Sequence, residues 1–153
     1  MDLALLLSIA IALAAERHKH QFDKGGNPYI LHVLKVMHYT KSDDLEILMI
    51  AVLHDIVEDT GTTYEELREF GFSERVITGI KALTKVSGLS HEVYKAGILA
   101  NKDALIVKLA DLRHNSDIRR LKGVTEKDIK RVTKYHNMWV EFKAALDAWE
   151  DEK

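Results

Sequence analysis

The residues best suited to chemistry stand where polarity is least expected. The apolar run Met49-Ile50-Ala51-Val52-Leu53 passes directly into His54, Asp55, Glu58 and Asp59. At helical spacing His54 and Glu58 lie one turn apart, as do Asp55 and Asp59, so the four groups form two adjacent rows at one end of a helix. Burying such charge costs several kcal/mol unless it is paired or bound to metal, and this segment contains no lysine or arginine. A divalent metal ion answers that need. Glu58 and Asp59, two neighbouring carboxylates, cannot both stay charged cheaply, so one of them is suited to hold a proton as a general acid or base.

Two further segments offer donors. In Ile106-Val107-Lys108-Leu109-Ala110-Asp111 an apolar stretch is broken by an acid, with Asn115 one turn later. Taken alone, Asp111 reads as the partner of Lys108 or Arg113 in an ordinary ion pair. In Lys24-Gly25-Gly26-Asn27-Pro28-Tyr29-Ile30-Leu31-His32 a glycine turn feeds a helix that carries His32 inward; alone, His32 reads as a core histidine. Together His32, His54, Asp55 and Asp111 make an N₂O₂ donor set suited to Mn²⁺, Fe²⁺ or Zn²⁺, and less to Mg²⁺ because of the imidazoles. A divalent ion there lowers the pKa of water and neutralises phosphoryl oxygens.

The elements that must position these groups are helices. One proline, Pro28, occurs in 153 residues, and no β-branched alternation argues for a sheet. The expected fold is an all-α, compact multi-helix bundle around one metal site, with residues 1–153 forming one domain. Helices are expected near residues 2–20, 28–40, 43–58, 63–70, 73–84, 90–100, 102–120 and 125–150, with ends uncertain by about 2–4 residues. Asn27 before Pro28 reads as an N-cap, Thr62 or Thr63 as the start of a capping box, and Ser42-Asp43-Asp44 as a third start. Gly61, Gly71, Gly88 and Gly123 mark plausible helix ends. The stripe Val132, Tyr135, Trp139, Phe142, Ala145, Leu146 and Trp149 is an amphipathic face for packing.

Composition narrows the partners. With 22 basic and 24 acidic residues the net charge is −2, which gives no global attraction to nucleic acid or anionic membrane. Zero cysteines exclude disulfides, a thiolate metal site and a cysteine nucleophile. The apolar segment 3–15 follows an acidic Met1-Asp2 and is shorter than the ~18 residues of a membrane span, so it reads as a buried helix of a cytoplasmic protein rather than a signal peptide.

These motifs together resemble the HD-domain hydrolases. More narrowly, the segment from about residue 10 to 121 resembles the hydrolase domain of the RelA/SpoT alarmone enzymes and the free-standing small alarmone hydrolases. The resemblance implies a manganese-dependent 3′-pyrophosphohydrolase that converts guanosine tetra- or pentaphosphate to GDP or GTP plus pyrophosphate, other divalent metals being possible. It assigns His32, His54, Asp55 and Asp111 to the metal and Glu58 and Asp59 to the catalytic acidic pair. Asn115 falls to the nucleotide sugar, Lys24 to the substrate phosphates and Tyr135 to the base pocket. The implied partner is a small phosphorylated nucleotide, with no nucleic acid or membrane and no oligomeric state implied.

The chain also departs from that pattern. Asp23-Lys24 stands where an Arg-Lys pair is usual, His32-Val33 where His-Pro is frequent, and His20 replaces a glycine. Asp23 leaves open whether guanine is the base recognised. Arg113, Arg119, Arg120 and Lys122 read as a solvated face or as phosphate-gathering groups, and His18, His38, His91 and His136 as surface or core histidines. Two other functions fit the same residues: a phosphohydrolase of another nucleotide, and a non-catalytic, metal-containing nucleotide-binding module.

Overall fold

The computed structural model describes residues 2–152. Among them the chain forms α1 (Leu3–Arg17), α2 (Tyr29–Tyr39), α3 (Leu45–Leu53), α4 (Ile56–Thr60), α5 (Tyr64–Phe70), α6 (Glu74–Leu83), α7 (His91–Leu99), α8 (Lys102–Asn115) and α9 (Glu126–Asp151), with a 3₁₀ turn at Ile118–Arg120. No β-strand occurs among the described residues; an isolated bridge joins Phe22 to Pro28. The all-α expectation holds.

α3 is apolar on every face, and such a helix must be surrounded. Ile47 and Met49 through Leu53 are buried, with α1, α2, α6 and α8 packed around it. α1 contributes Leu6, Ala10, Leu13 and Ala14; the apolar N-terminal segment is therefore a core helix, and no described helix is long and apolar enough to cross a membrane. α9 lies along α8, with Phe142 fully buried and Tyr135, Trp139, Ala145, Leu146 and Trp149 partly buried against the core.

Several helix ends follow from local chemistry. Thr63, rather than Thr62, closes the capping box with Glu66, and Gly71 ends that helix at φ 102°. Asp44 caps α3 by accepting the Glu46 N–H. Three expectations need correction, one being the helix expected over 102–120, which ends at Asn115 with a separate 3₁₀ turn at Ile118–Arg120. Asn27 is not the N-cap: α2 begins at Tyr29 with Pro28 in that position, because the Asn27 carbonyl accepts the Asp23 N–H at 2.9 Å and does not open the helical ladder. The helix expected over 43–58 is broken at His54–Asp55. His54 Nδ1 meets the Ala51 carbonyl at 2.6 Å, competing with the backbone ladder, and Asp55 sits at φ −104°, ψ 0°, in the bridge region common at active sites.

α3 and α6 touch where Gly79 faces Ile50. A Cβ on Gly79 would lie 2.5 Å from Ile50 Cδ1, and Ile50 is wholly buried. Gly79→Ala should therefore lower the melting temperature by roughly 3–10 °C, despite the ~1 kcal/mol of helix propensity it gains. An unchanged or raised melting temperature by circular dichroism would show that this contact does not hold α3 in place.

Candidate active site

Three pieces of backbone converge beside α3. α2 supplies His32, the break after α3 supplies His54 and Asp55, and α8 supplies Asp111. One ligand atom from each lies within 4.8 Å of the others. Asp111 Oδ1 is 3.0 Å from His32 Nε2 and 3.3 Å from His54 Nε2, and Asp55 Oδ2 is 3.0 Å from His54 Nε2. His32, His54 and Asp111 are buried.

The donor chemistry fits a metal ion. His54 Nδ1–H donates to the Ala51 carbonyl, which directs Nε2 among the carboxylates, where the neutral ring would offer a metal its lone pair. That Nε2 is buried and makes no hydrogen bond. His32 Nδ1 faces His114 Nδ1 at 2.7 Å. Burial, with His32 and Arg120 adding, pulls His114 down to about 4, so neutral His114 accepts the His32 Nδ1 proton and frees His32 Nε2 toward the cluster. Donor atoms around a first-row divalent ion sit about 2.0–2.2 Å from it and so up to ~4.4 Å apart, close to the spread observed.

Both carboxylates stay ionised. Burial alone would raise Asp111, but Lys108 and the two imidazoles hold it well below the usual range. Asp55 is likewise raised by burial yet brought down to about 2, chiefly by His54. Lys108 Nζ lies 3.0 Å from Asp111 Oδ2, so the ion pair considered from sequence is present within the cluster, and Arg113 instead stacks 4.0 Å over Tyr39. Tyr29 donates to Asp55 Oδ2 at 2.5 Å. Burial pushes the Tyr29 phenol upward, and Asp55 pushes it further, so it remains a donor.

The acidic pair does not share one surface. Glu58 lines a hollow of about 140 Å³ over the cluster, together with Tyr29, Lys85, Tyr94, Lys108 and Asn115, and Glu58 Oε1 accepts the Lys85 backbone N–H at 2.8 Å. Asp59 does not line that hollow; it is exposed, and its Oδ2 accepts from Gln21 Nε2 at 2.9 Å. Burial raises the Asp59 carboxyl, with Asp55 adding and Gln21 opposing.

A second cleft of about 290 Å³ adjoins the first and shares Tyr29, Asn115 and Tyr135 with it; Phe22, Lys24 and Arg120 also line it. Lys24, Asn115 and Tyr135 thus come to one place. Asn115 Nδ2 donates to Asp111 Oδ1 at 3.1 Å and its Oδ1 accepts from Arg120 at 3.1 Å. Asp23 turns inward. Its Oδ1 accepts the N–H groups of Gly25 and Asn27, both at 2.9 Å, and its Oδ2 faces Arg120 at 3.6 Å. A Cβ on Gly25 would lie 2.1 Å from the Arg120 carbonyl oxygen, so only glycine lets the turn approach the 3₁₀ segment this closely. Arg119 pairs with Asp117, leaving Arg120 as the member of the expected basic group that lines the cleft.

Sequence reasoning overlooked Tyr29, and it read Lys108 only as a surface partner. Each precedes a cluster residue by three positions, a spacing that puts both side chains on one helix face. Lys85 reaches the hollow from the loop after α6 and carries no comparable signal.

A helical bundle enclosing adjacent His and Asp donors beside a nucleotide-sized cleft defines a class, and the comparisons agree with it. The HD domain family is matched over residues 10–132, and the chain belongs to that family. It is 35% identical over 135 residues to the guanosine-3′,5′-bis(diphosphate) 3′-pyrophosphohydrolase of Aquifex aeolicus, spanning 82% of this chain but 19% of that protein. It is 38% identical over 123 residues to the MESH1 protein of Danio rerio, which bears the same enzyme name, spanning 73% of this chain and 67% of the relative. A solved structure of a metazoan orthologue of SpoT that hydrolyses ppGpp shares the fold, with a TM-score of 0.73 and 24% identity over 93% of this chain and 92% of that one.

Because Tyr29 fixes Asp55 through a single hydrogen bond, Tyr29→Phe should weaken divalent-metal affinity by about 10- to 100-fold while leaving the helical spectrum intact. Metal titration of chelator-treated protein measures this, and unchanged affinity would remove Tyr29 from the support of the cluster.

Proposed function

We propose that this chain is a metal-dependent 3′-pyrophosphohydrolase of guanosine tetra- and pentaphosphate, acting as a single HD hydrolase domain in the cytoplasm. The observation that carries the reading is the junction of the two clefts. A space sized for a nucleoside opens at Asn115 and Tyr135 onto the hollow above the His/Asp cluster. The relatives that bear this enzyme name support the substrate class.

In this reading His32, His54, Asp55 and Asp111 hold the divalent ion, Mn²⁺ by the mixed imidazole and carboxylate donors. Such an ion would acidify water and offset charge on the phosphoryl oxygens. Tyr135 lines the base, Asn115 meets the ribose, and Lys24 meets phosphate. Lys85 and Lys108, beside the hollow, add positive charge where the 3′-diphosphate lies. Water adds to the 3′-linked phosphorus, the bond from that phosphorus to the ribose 3′-oxygen breaks, and pyrophosphate departs. Glu58 and Asp59 handle the protons: one carboxylate accepts a proton from the attacking water, and the ribose 3′-oxygen takes one up.

Incubation with guanosine tetraphosphate and Mn²⁺ should yield GDP and pyrophosphate in equal amounts, resolved by ion-exchange chromatography. Glu58→Gln and Asp59→Asn should each lower kcat by about 10²-fold or more with metal content retained. Turnover confined to another nucleotide would transfer the assignment to the broader phosphohydrolase reading, and binding without turnover would leave a nucleotide-binding module. Unchanged rates in both variants would remove the acidic pair from the mechanism.

A further inference from the structure

His18 is 1% exposed and takes no part in the metal cluster, yet it is the inner end of a chain of polar contacts. Its Nδ1 lies 2.7 Å from Gln21 Oε1. The Gln21 amide continues outward, Nε2 donating to Asp59 Oδ2 at 2.9 Å. His18 Nε2 is buried without a hydrogen-bond partner, and the ring packs at 5.1 Å from Tyr29.

The directions of these bonds depend on one another. An ionised Asp59 accepts only, so Gln21 must present its NH₂ group to it, which turns the Gln21 carbonyl toward His18. That carbonyl also accepts only, so His18 must carry its hydrogen on Nδ1. The reverse amide orientation would set an oxygen against the Asp59 carboxylate. The backbone holds Gln21 in place from both sides: its N–H donates to the His18 carbonyl at 2.9 Å, and its carbonyl accepts the Tyr29 N–H at 2.9 Å. The acid, the glutamine and the buried imidazole at the end of α1 thus form one chain in which each donor must match the next acceptor.

We infer that His18 and Gln21 are positioning residues that orient the Asp59 carboxylate for proton transfer through the contacts His18 Nδ1–Gln21 Oε1 and Gln21 Nε2–Asp59 Oδ2. This rests on the reading of Asp59 as half of the acid/base pair. Gln21 contributes no proton of its own; it limits the angles through which the Asp59 carboxylate turns, and His18 limits Gln21.

The test is a mutant cycle on the Mn²⁺-loaded protein with guanosine tetraphosphate. Gln21→Met keeps the side-chain length and removes both contacts. It should lower kcat about 10-fold or more, with KM and Mn²⁺ affinity unchanged, and should cause no further loss when added to Asp59→Asn. His18→Asn, which keeps a donor near the Nδ1 position, should retain most of the rate, whereas His18→Leu should lose as much as Gln21→Met. In ¹⁵N spectra of the metal-free protein, the His18 signals, assigned by their absence in His18→Asn, should report the Nδ1–H tautomer. An equal loss from Gln21→Met in the wild-type and Asp59→Asn backgrounds, or the Nε2–H tautomer, would overturn the inference. If Asp59→Asn itself leaves kcat unchanged, the role of Asp59 fails and the inference with it. Loss with Asp59→Asn but none with Gln21→Met overturns the inference alone.

Discussion

Two carboxylates held ionised beside two imidazole nitrogens, all within 4.8 Å and largely shut off from water, form the constraint on which the rest of this protein depends. Uncompensated, charge in such a place costs several kcal/mol per group. The fold supplies partial compensation: Lys108 beside Asp111, Tyr29 on Asp55 and Asn115 on Asp111. Two negative charges against one ammonium still leave an excess, and His54 Nε2 makes no hydrogen bond. That excess raises His54 well above its ordinary value against the opposing effect of burial, so without metal a proton on Nε2 takes the place a divalent ion would hold. Positive charge is what this arrangement is built to hold, and the apolar α3 with its four surrounding helices keeps the donors from relaxing apart.

The cleft follows from the same geometry. Asn115 touches a cluster carboxylate on one side and Arg120 on the other, so the wall of the nucleoside-sized space is fastened to the cluster. Asp23 completes the fastening from the opposite turn. Its acid is thus spent on holding the turn and on Arg120. Arg120, from the 3₁₀ segment after α8, joins Lys24 and Arg131 as a cationic group lining the cleft.

His54 and Asp55 were legible in the sequence because charge inside an apolar helical run is improbable without a reason, whereas Asp111 and His32, which read alone as an ion-pair partner and a core histidine, gained meaning only in combination with them. The helices themselves were legible from periodicity and from caps such as Thr63 with Glu66. What stayed hidden depends on contacts far apart in the chain. The break at His54–Asp55 arises from a side chain taking a backbone carbonyl within the assembled site, and it undoes the two neat rows that an unbroken helix would give His54, Asp55, Glu58 and Asp59. The inward turn of Asp23 depends on Arg120, nearly a hundred positions away. His18 looked like any core histidine, although Gln21 three residues later, just past the end of an apolar helix, was the available signal that its ring had a polar task.

Anomalous scattering from crystals soaked in Mn²⁺ tests the central claim most directly. The account predicts one strong manganese peak per chain, within bonding distance of His32 Nε2, His54 Nε2 and the carboxylates of Asp55 and Asp111. No peak at that place, or a peak elsewhere with the four side chains closed on one another, would contradict it.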